Sequence, residues 1–208
     1  MSTPQRAVNP VDNEVQELVA KARAAQAIYE GFSQEQADAI VRDMAKYVYD
    51  NAETLARMAV DETGIGNYED KILKKKGKAR VIWNNLKGKK SRGVIGEDKE
   101  NNLVFVAKPM GVVAAVCPVT NPIATPMCNG MFALKAGNAV IFAPHPKAEK
   151  CTAHLTSEFM KIVKKHGGPD NLIQTIKKGS VEKTQELMRA ADVVVATGGG
   201  AMVKSAYS

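Results

Sequence analysis

The sequence predicts an α/β fold, with a helical N-terminal zone followed by an open parallel sheet. Three observations lead there. Apolar residues up to about residue 90 recur at helical spacing. Beyond Leu103, short β-branched runs alternate with helical stretches. Those runs are apolar at nearly every position, the pattern of parallel strands covered on both faces. The 208 residues, 45% hydrophobic and 25% charged, have an ordinary globular composition and suggest one domain or a domain with a lead-in segment.

The elements follow in order. Val11, Val15, Leu18, Val19 and Ala22 recur at i, i+4, i+7, i+8 and i+11 and predict an amphipathic helix. It reads as an ordinary packed helix. Ser33 followed by Gln36 has the form of a capping box and opens a second helix, with Ile40, Val41, Met44 and Val48 on one face. Asn51 can cap a third helix carrying Leu55, Met58 and Ala59. Thr63-Gly64-Ile65-Gly66 interrupts the helical pattern. A basic helix follows, with Ile72, Leu73, Val81, Ile82 and Leu86 as its expected inner positions. The strands are read at Leu103–Ala107, Val112–Val116, Ala139–Phe142, Leu172–Ile176 and Val193–Ala196, with helices at Pro126–Lys135, Ala148–Lys165 and Val181–Ala190 between the later ones. From Val112 this is a β-α-β-α-β-α-β alternation with right-handed crossovers. Leu103–Ala107 can instead pair with Val112–Val116 as a hairpin.

Charge and cysteines narrow the function classes. The net charge is +7 and the pI about 9.2. Lys71, Lys74, Lys75, Lys76, Lys78, Arg80, Lys87, Lys89, Lys90 and Arg92 supply much of the excess. Such a run is first a solvated helix face, then a site for a phosphate-rich small ligand. Nucleic acid is the weakest reading, because Trp83 is the only aromatic residue within the run. Cys117, Cys128 and Cys151 have no C-x-x-C spacing and an odd count, so they read as packed small residues rather than a disulfide framework or a metal site. No apolar run is long enough to span a bilayer, and Met1 to Glu14 has no secretory apolar core. The expected location is therefore cytoplasmic.

In an open parallel sheet ligands bind beyond the carboxyl ends of the strands, so the strand-to-helix turns are where chemistry is sought. Cys117-Pro118-Val119-Thr120-Asn121-Pro122 fixes a carboxamide between two prolines, and Thr125-Pro126 has the form of an N-cap and first helical residue. Asn121 there can donate to a developing oxyanion or merely cap its own turn. Ala143-Pro144-His145-Pro146-Lys147 holds a histidine just past a strand, either lining a ribose or base pocket or lying on the surface. Lys177-Lys178-Gly179-Ser180 is basic but carries no further signal. Ala196-Thr197-Gly198-Gly199-Gly200 lets a pyrophosphate approach backbone N–H groups at a helix start, although it is not a G-x-G-x-x-G turn.

In order and spacing, Lys108-Pro109-Met110-Gly111-Val112-Val113, Pro118-Val119-Thr120-Asn121-Pro122 and Leu134-Lys135-Ala136-Gly137-Asn138-Ala139-Val140-Ile141 resemble the aldehyde dehydrogenase superfamily. Phe142-Ala143-Pro144-His145-Pro146, Ala196-Thr197-Gly198-Gly199, Glu62-Thr63-Gly64-Ile65-Gly66 and Glu69-Asp70-Lys71 are similar to its coenzyme A-acylating branch. The resemblance implies a Rossmann-like parallel sheet of a truncated aldehyde dehydrogenase fold. Residues 1–102 would be a helical lead-in and residues 103–208 an incomplete NAD(P)-binding α/β domain. It implies that Asn121 helps form the oxyanion hole, that Pro118, Val119 and Thr120 line the nicotinamide side, and that Thr197, Gly198 and Gly199 lie under the pyrophosphate. Ala143 stands where many members have lysine, and His145 is the residue left to serve the ribose. The serine usual in the hydrolytic branch is Gly199 here. The family's nucleophilic cysteine belongs to a later catalytic domain, and none of the three cysteines matches it.

The expectation is thus the cofactor-binding portion of an NAD- or NADP-dependent enzyme that oxidises a small aldehyde to an acyl-CoA, with coenzyme A as co-substrate. The complete protein would be a homo-oligomer, in the cytoplasm or associated with a bacterial microcompartment shell. The rival reading is a non-catalytic nucleotide- or partner-binding module.

Overall fold

The computed structural model describes residues 10–207. Four helices come first: α1 (Pro10–Glu30), α2 (Gln34–Asp50), α3 (Ala52–Thr63) and α4 (Tyr68–Leu86). A hairpin follows, β1 (Gly93–Asp98) and β2 (Leu103–Ala107). Then come β3 (Val112–Cys117), α5 (Ala124–Lys135), β4 (Ala139–Pro144), a 3-10 turn at Pro146–Ala148, α6 (Glu149–Lys165), β5 (Ile173–Thr175), α7 (Val181–Ala190), β6 (Val193–Ala196) and α8 (Gly200–Tyr207).

The sheet is parallel throughout, in the order β5-β4-β3-β6. Every residue of β3 and β4 is buried, as their unbroken apolar sequence requires. Burying each of Val140, Ile141 and Phe142 completely contributes roughly 1.5–3 kcal/mol. α1 and α7 contact one another and β3, while α5 and α6 pack beneath the sheet, with α2, α3 and α4 outside them. A single apolar core runs from Val15 on α1 through Val112 and Phe142 to Leu187 on α7, so the helical zone and the sheet share it. α1 buries Val15, Val19, Ala22, Ala25 and Tyr29 in this core, so the stripe read at Val11–Ala22 is a packing face that runs one turn and more beyond Ala22.

Local chemistry explains most boundaries. The Ser33 and Gln36 box is present, with Ser33 Oγ accepting from Gln36 N at 3.2 Å and the Gln36 side chain accepting from Ser33 N at 2.9 Å. α3 stops at Gly64, whose φ of +63° suits glycine. Arg92 closes the end of α1, donating from Nη1 to the carbonyls of Tyr29 and Phe32 at 3.1 Å each. Its guanidinium lies 4.5 Å from the Tyr29 ring centre.

Four expectations are corrected. Leu103–Ala107 pairs antiparallel with Gly93–Asp98, a strand the sequence reading did not foresee, and not with Val112–Val116. Asn51 occupies the N-cap position of α3 without capping it: it is also the C-cap of α2, its ψ of 19° is not the extended backbone of a capping residue, and its side-chain NH2 donates back to the Tyr47 carbonyl at 2.9 Å. α5 begins at Ala124, not at a Thr125 cap. Thr125 N already bonds the Asn121 carbonyl at 3.2 Å and Met127 N that of Ile123 at 3.0 Å. On α4 the buried positions are Lys71, Lys75 and Ala79, whereas Leu73 and Val81 are exposed. α4 packs against α2, α3 and α5, and the long apolar stems of these lysines fill the seam between them.

Candidate functional site

The chain reverses direction across the sheet at β3. Successive units run outward to β4 and β5, and β6 returns to the other side of β3. Such a switch point opens a crevice beyond the strand ends. Here it is a cleft of about 750 Å³, lined by the ends of β3, β4 and β6, one face of α7 from Val181 to Met188 and the first turns of α8. That lies within the roughly 300–1,000 Å³ of small-ligand and cofactor sites. All the residues singled out from sequence line it: Pro118, Val119, Thr120, Asn121, His145, Thr197, Gly198 and Gly199. Among the described residues no group of three or more His, Cys, Asp or Glu converges as a metal site.

Each wall has its own cause. The turn after β3 carries the carboxamide. Asn121 Oδ1 accepts from Lys74 Nζ at 3.2 Å, and Nδ2 lies 3.4 Å from Thr120 Oγ1. The oxygen is therefore engaged by α4 rather than capping its own turn. Lys71 approaches the same turn from below, its Nζ 3.5 Å from the Thr120 carbonyl. Its stem passes under Gly66, where an added Cβ would lie 3.1 Å from Lys71 Cε. Burial, with Lys74 nearby, pulls the Lys71 ammonium below the ordinary lysine range. These two lysines are neighbours of the candidate turn that the sequence reading did not place there. The sequence reading had them only as members of the basic run, and no local pattern distinguishes Lys71 and Lys74 from the other lysines of that run; their approach to this turn comes from the packing of α4.

The turn after β4 is pinned at both ends. His145 N donates to the Cys117 carbonyl at 3.2 Å, and His145 Nδ1 accepts from Lys147 N at 3.1 Å. With Nδ1 used as acceptor, the neutral imidazole carries its proton on Nε2. Glu62, from the end of α3, accepts from Lys150 N at 2.7 Å and Cys151 N at 2.8 Å, filling the N-terminus of α6. Glu149 reaches across to Gly179 N at 2.6 Å and ties the loop before α7 to this turn.

The turn after β6 is anchored by Thr197 N to the Val116 carbonyl at 3.2 Å. A side chain at Gly198 would meet Met202, but a Cβ at Gly199 or Gly200 would find nothing within 4 Å. The space beside these two glycines is open, at the start of a helix whose first N–H groups have no intrahelical partner.

The thiols are not activated. Burial pushes Cys117 far above the ordinary thiol range, and burial together with the Glu62 carboxylate pushes Cys151 up to about 12. Burial also raises Cys128.

Comparison with known proteins agrees with this architecture. The model of the aldehyde dehydrogenase family matches residues 7–208. The chain is 52% identical over 194 residues to the succinate-semialdehyde dehydrogenase (acetylating) of Clostridium kluyveri, covering 93% of this chain and 43% of that protein. It is 48% identical over 193 residues to the sulfoacetaldehyde dehydrogenase of an Acholeplasma species, covering 91% and 40%. The crystal structure of an acetylating aldehyde dehydrogenase from Geobacillus thermoglucosidasius superposes with a TM-score of 0.91 at 41% identity, covering 95% of this chain and 44% of that one. The chain thus spans less than half the length of these relatives.

Proposed function

Because the chain belongs to the aldehyde dehydrogenase family, we propose that it supplies the cofactor-binding portion of an NAD(P)-dependent, coenzyme A-acylating enzyme that oxidises a small aldehyde to an acyl-CoA. The observation that carries this reading is the convergence of three strand-end turns on one cleft at the switch point of the sheet. The relatives named for succinate-semialdehyde and sulfoacetaldehyde support a short aldehyde.

The residues present fit a nicotinamide dinucleotide. The open space beside Gly199 and Gly200, at the start of α8, suits a pyrophosphate. Pro118, Val119 and Thr120 offer a short, proline-stiffened wall for the nicotinamide side. His145, with its proton on Nε2, can donate to a ribose hydroxyl. When bound, the dinucleotide supplies the hydride acceptor, and coenzyme A takes the acyl group in the complete enzyme. Asn121, which lines the cleft, takes the role of hydrogen-bond donor, through Nδ2, to the negative charge that develops on the aldehyde oxygen. The nucleophile is assigned to no residue of this chain, in keeping with burial, complete or partial, that raises all three thiols.

Isothermal titration calorimetry of the 208-residue chain with NAD+, NADP+ and their reduced forms tests the proposal. One dinucleotide should bind at a single site, and Gly199→Asp, which sets a carboxylate against the pyrophosphate, should weaken it by about ten-fold or more, equivalent to about 1.4 kcal/mol. Folded protein that gives no heat with any of the four would overturn the reading.

A further inference from the structure

The carboxamide of Asn121 can face either way with nearly the same shape, and only its partners decide which end is the donor toward the cleft. The partner on the α4 side is Lys74 Nζ, 3.2 Å from Oδ1. An ammonium has three donors and no acceptor, so it can hold the oxygen end of an amide and not the nitrogen end. Lys71 adds to the same bias, since its ammonium lies 3.5 Å from the Thr120 carbonyl one residue before. The α4 side of the turn therefore presents positive charge that only acceptors can meet. With Oδ1 taken, Nδ2 is left on the other side, where Thr120 Oγ1 at 3.4 Å engages at most one of its two N–H groups.

We propose that Lys74 is a positioning residue: by holding Asn121 Oδ1 it commits Nδ2 to the cleft as a hydrogen-bond donor and polarises the amide so that this donor is stronger. The consequence for catalysis rests on the reading of Asn121 as the oxyanion donor. The orientation itself rests only on the contacts just described. The asymmetry is chemical. Rotating the amide by half a turn would set NH2 against NH3+, losing the bond and opposing two donors. Lys74 differs in this from Lys71, which touches the main chain and can steady the turn without choosing an amide orientation.

The experiment is a two-dimensional 15N spectrum of the 208-residue chain, observing the Asn121 side-chain NH2 pair, assigned by its loss in Asn121→Asp. Lys74→Met keeps the aliphatic stem and removes the donor. Lys74→Arg keeps a donor-only cation. In wild type and Lys74→Arg the Asn121 Nδ2 signal is expected downfield, with slowed rotation about the C–N bond, because donation to Oδ1 increases that bond's double-bond character. In Lys74→Met it should move upfield and rotate faster, while backbone amides away from residues 118–122 stay in place. An Asn121 pair unmoved by Lys74→Met, or not restored by Lys74→Arg, would overturn the proposal. The measurement uses no cofactor, so failure of dinucleotide binding would sink the functional reading and leave this result standing, and the reverse also holds.

Discussion

Lys75 shows what it costs to place a lysine in an interior seam. Burial, with Lys71 beside it, lowers its ammonium from 10.5 to about 8. Below about pH 8 the group is charged in the folded and unfolded chain alike, and the folded state bears the full desolvation penalty. Between about 8 and 10.5 the folded chain gives up the proton first, and the penalty fades. Above 10.5 it is gone. Lys75→Met, which keeps the stem, should therefore be more stable than wild type at neutral pH, with the gain shrinking to nothing as the pH approaches 10.5. Thermal midpoints of both proteins, followed from about pH 6 to about pH 11, give the answer. A variant that is equally or less stable at every pH would mean that the lysine head meets an anion or water that compensates it. Its burial was not legible in the sequence. A run of lysines reads as a solvated face, and only the packing of α4 between its neighbours reveals that the stems, not Leu73 and Val81, point inward.

Among the elements, the loop between β5 and α7 is the one most tightly constrained by backbone approach. A Cβ at Gly179 would lie 2.8 Å from the Pro144 carbonyl oxygen and 3.3 Å from Glu149 Oε1. Neither the strand end nor the loop can yield without moving a wall of the cleft, since Pro144 ends β4 and Ser180 caps α7 through Lys183 N at 3.1 Å. Gly179→Ala should lower stability by roughly 1–3 kcal/mol, the usual cost of forced overpacking, read as a lowered urea midpoint. A midpoint within error of wild type would show that the loop shifts freely. The sequence reading had found this turn uninformative, and rightly on its own terms: the demand for glycine comes from a carbonyl 35 residues earlier. By contrast β3 and β4 were legible because strands buried on both faces must be apolar throughout, and β6, a half-buried edge strand, was legible from its Val-Val-Val-Ala run, with the glycine and proline clusters after all three marking the turns. The strand at Gly93–Asp98 was not. Its Gly-Val-Ile-Gly-Glu-Asp lacks both alternation and an apolar run, and it is held by pairing with Leu103–Ala107 rather than by burial.

At the scale of the whole molecule, the three thiols report how the fold opens. A thiol reacts as its thiolate, and here all three are raised. At neutral pH, labelling must therefore wait for structure to open. Cys117 ends the central strand β3, paired with Pro144 of β4 and one residue beyond the last pair with β6, with only 3% of its surface exposed, so its release requires that β3 come away from its neighbours. Cys128 lies part-buried on α5 and needs a smaller opening. The expected order with an iodoacetamide reagent under native conditions is Cys128 before Cys117. The Cys117 rate should also rise with urea as steeply as global unfolding does, because the same surface is exposed. Peptide mass spectrometry on a time course separates the sites. The result also bears on function, since Cys117 borders the cleft beside the turn that carries Asn121. Fast native labelling of Cys117, insensitive to denaturant, would mean an accessible thiolate next to the proposed oxyanion donor. The chain would then hold a nucleophile of its own, contrary to a fold that buries this thiol at the end of β3.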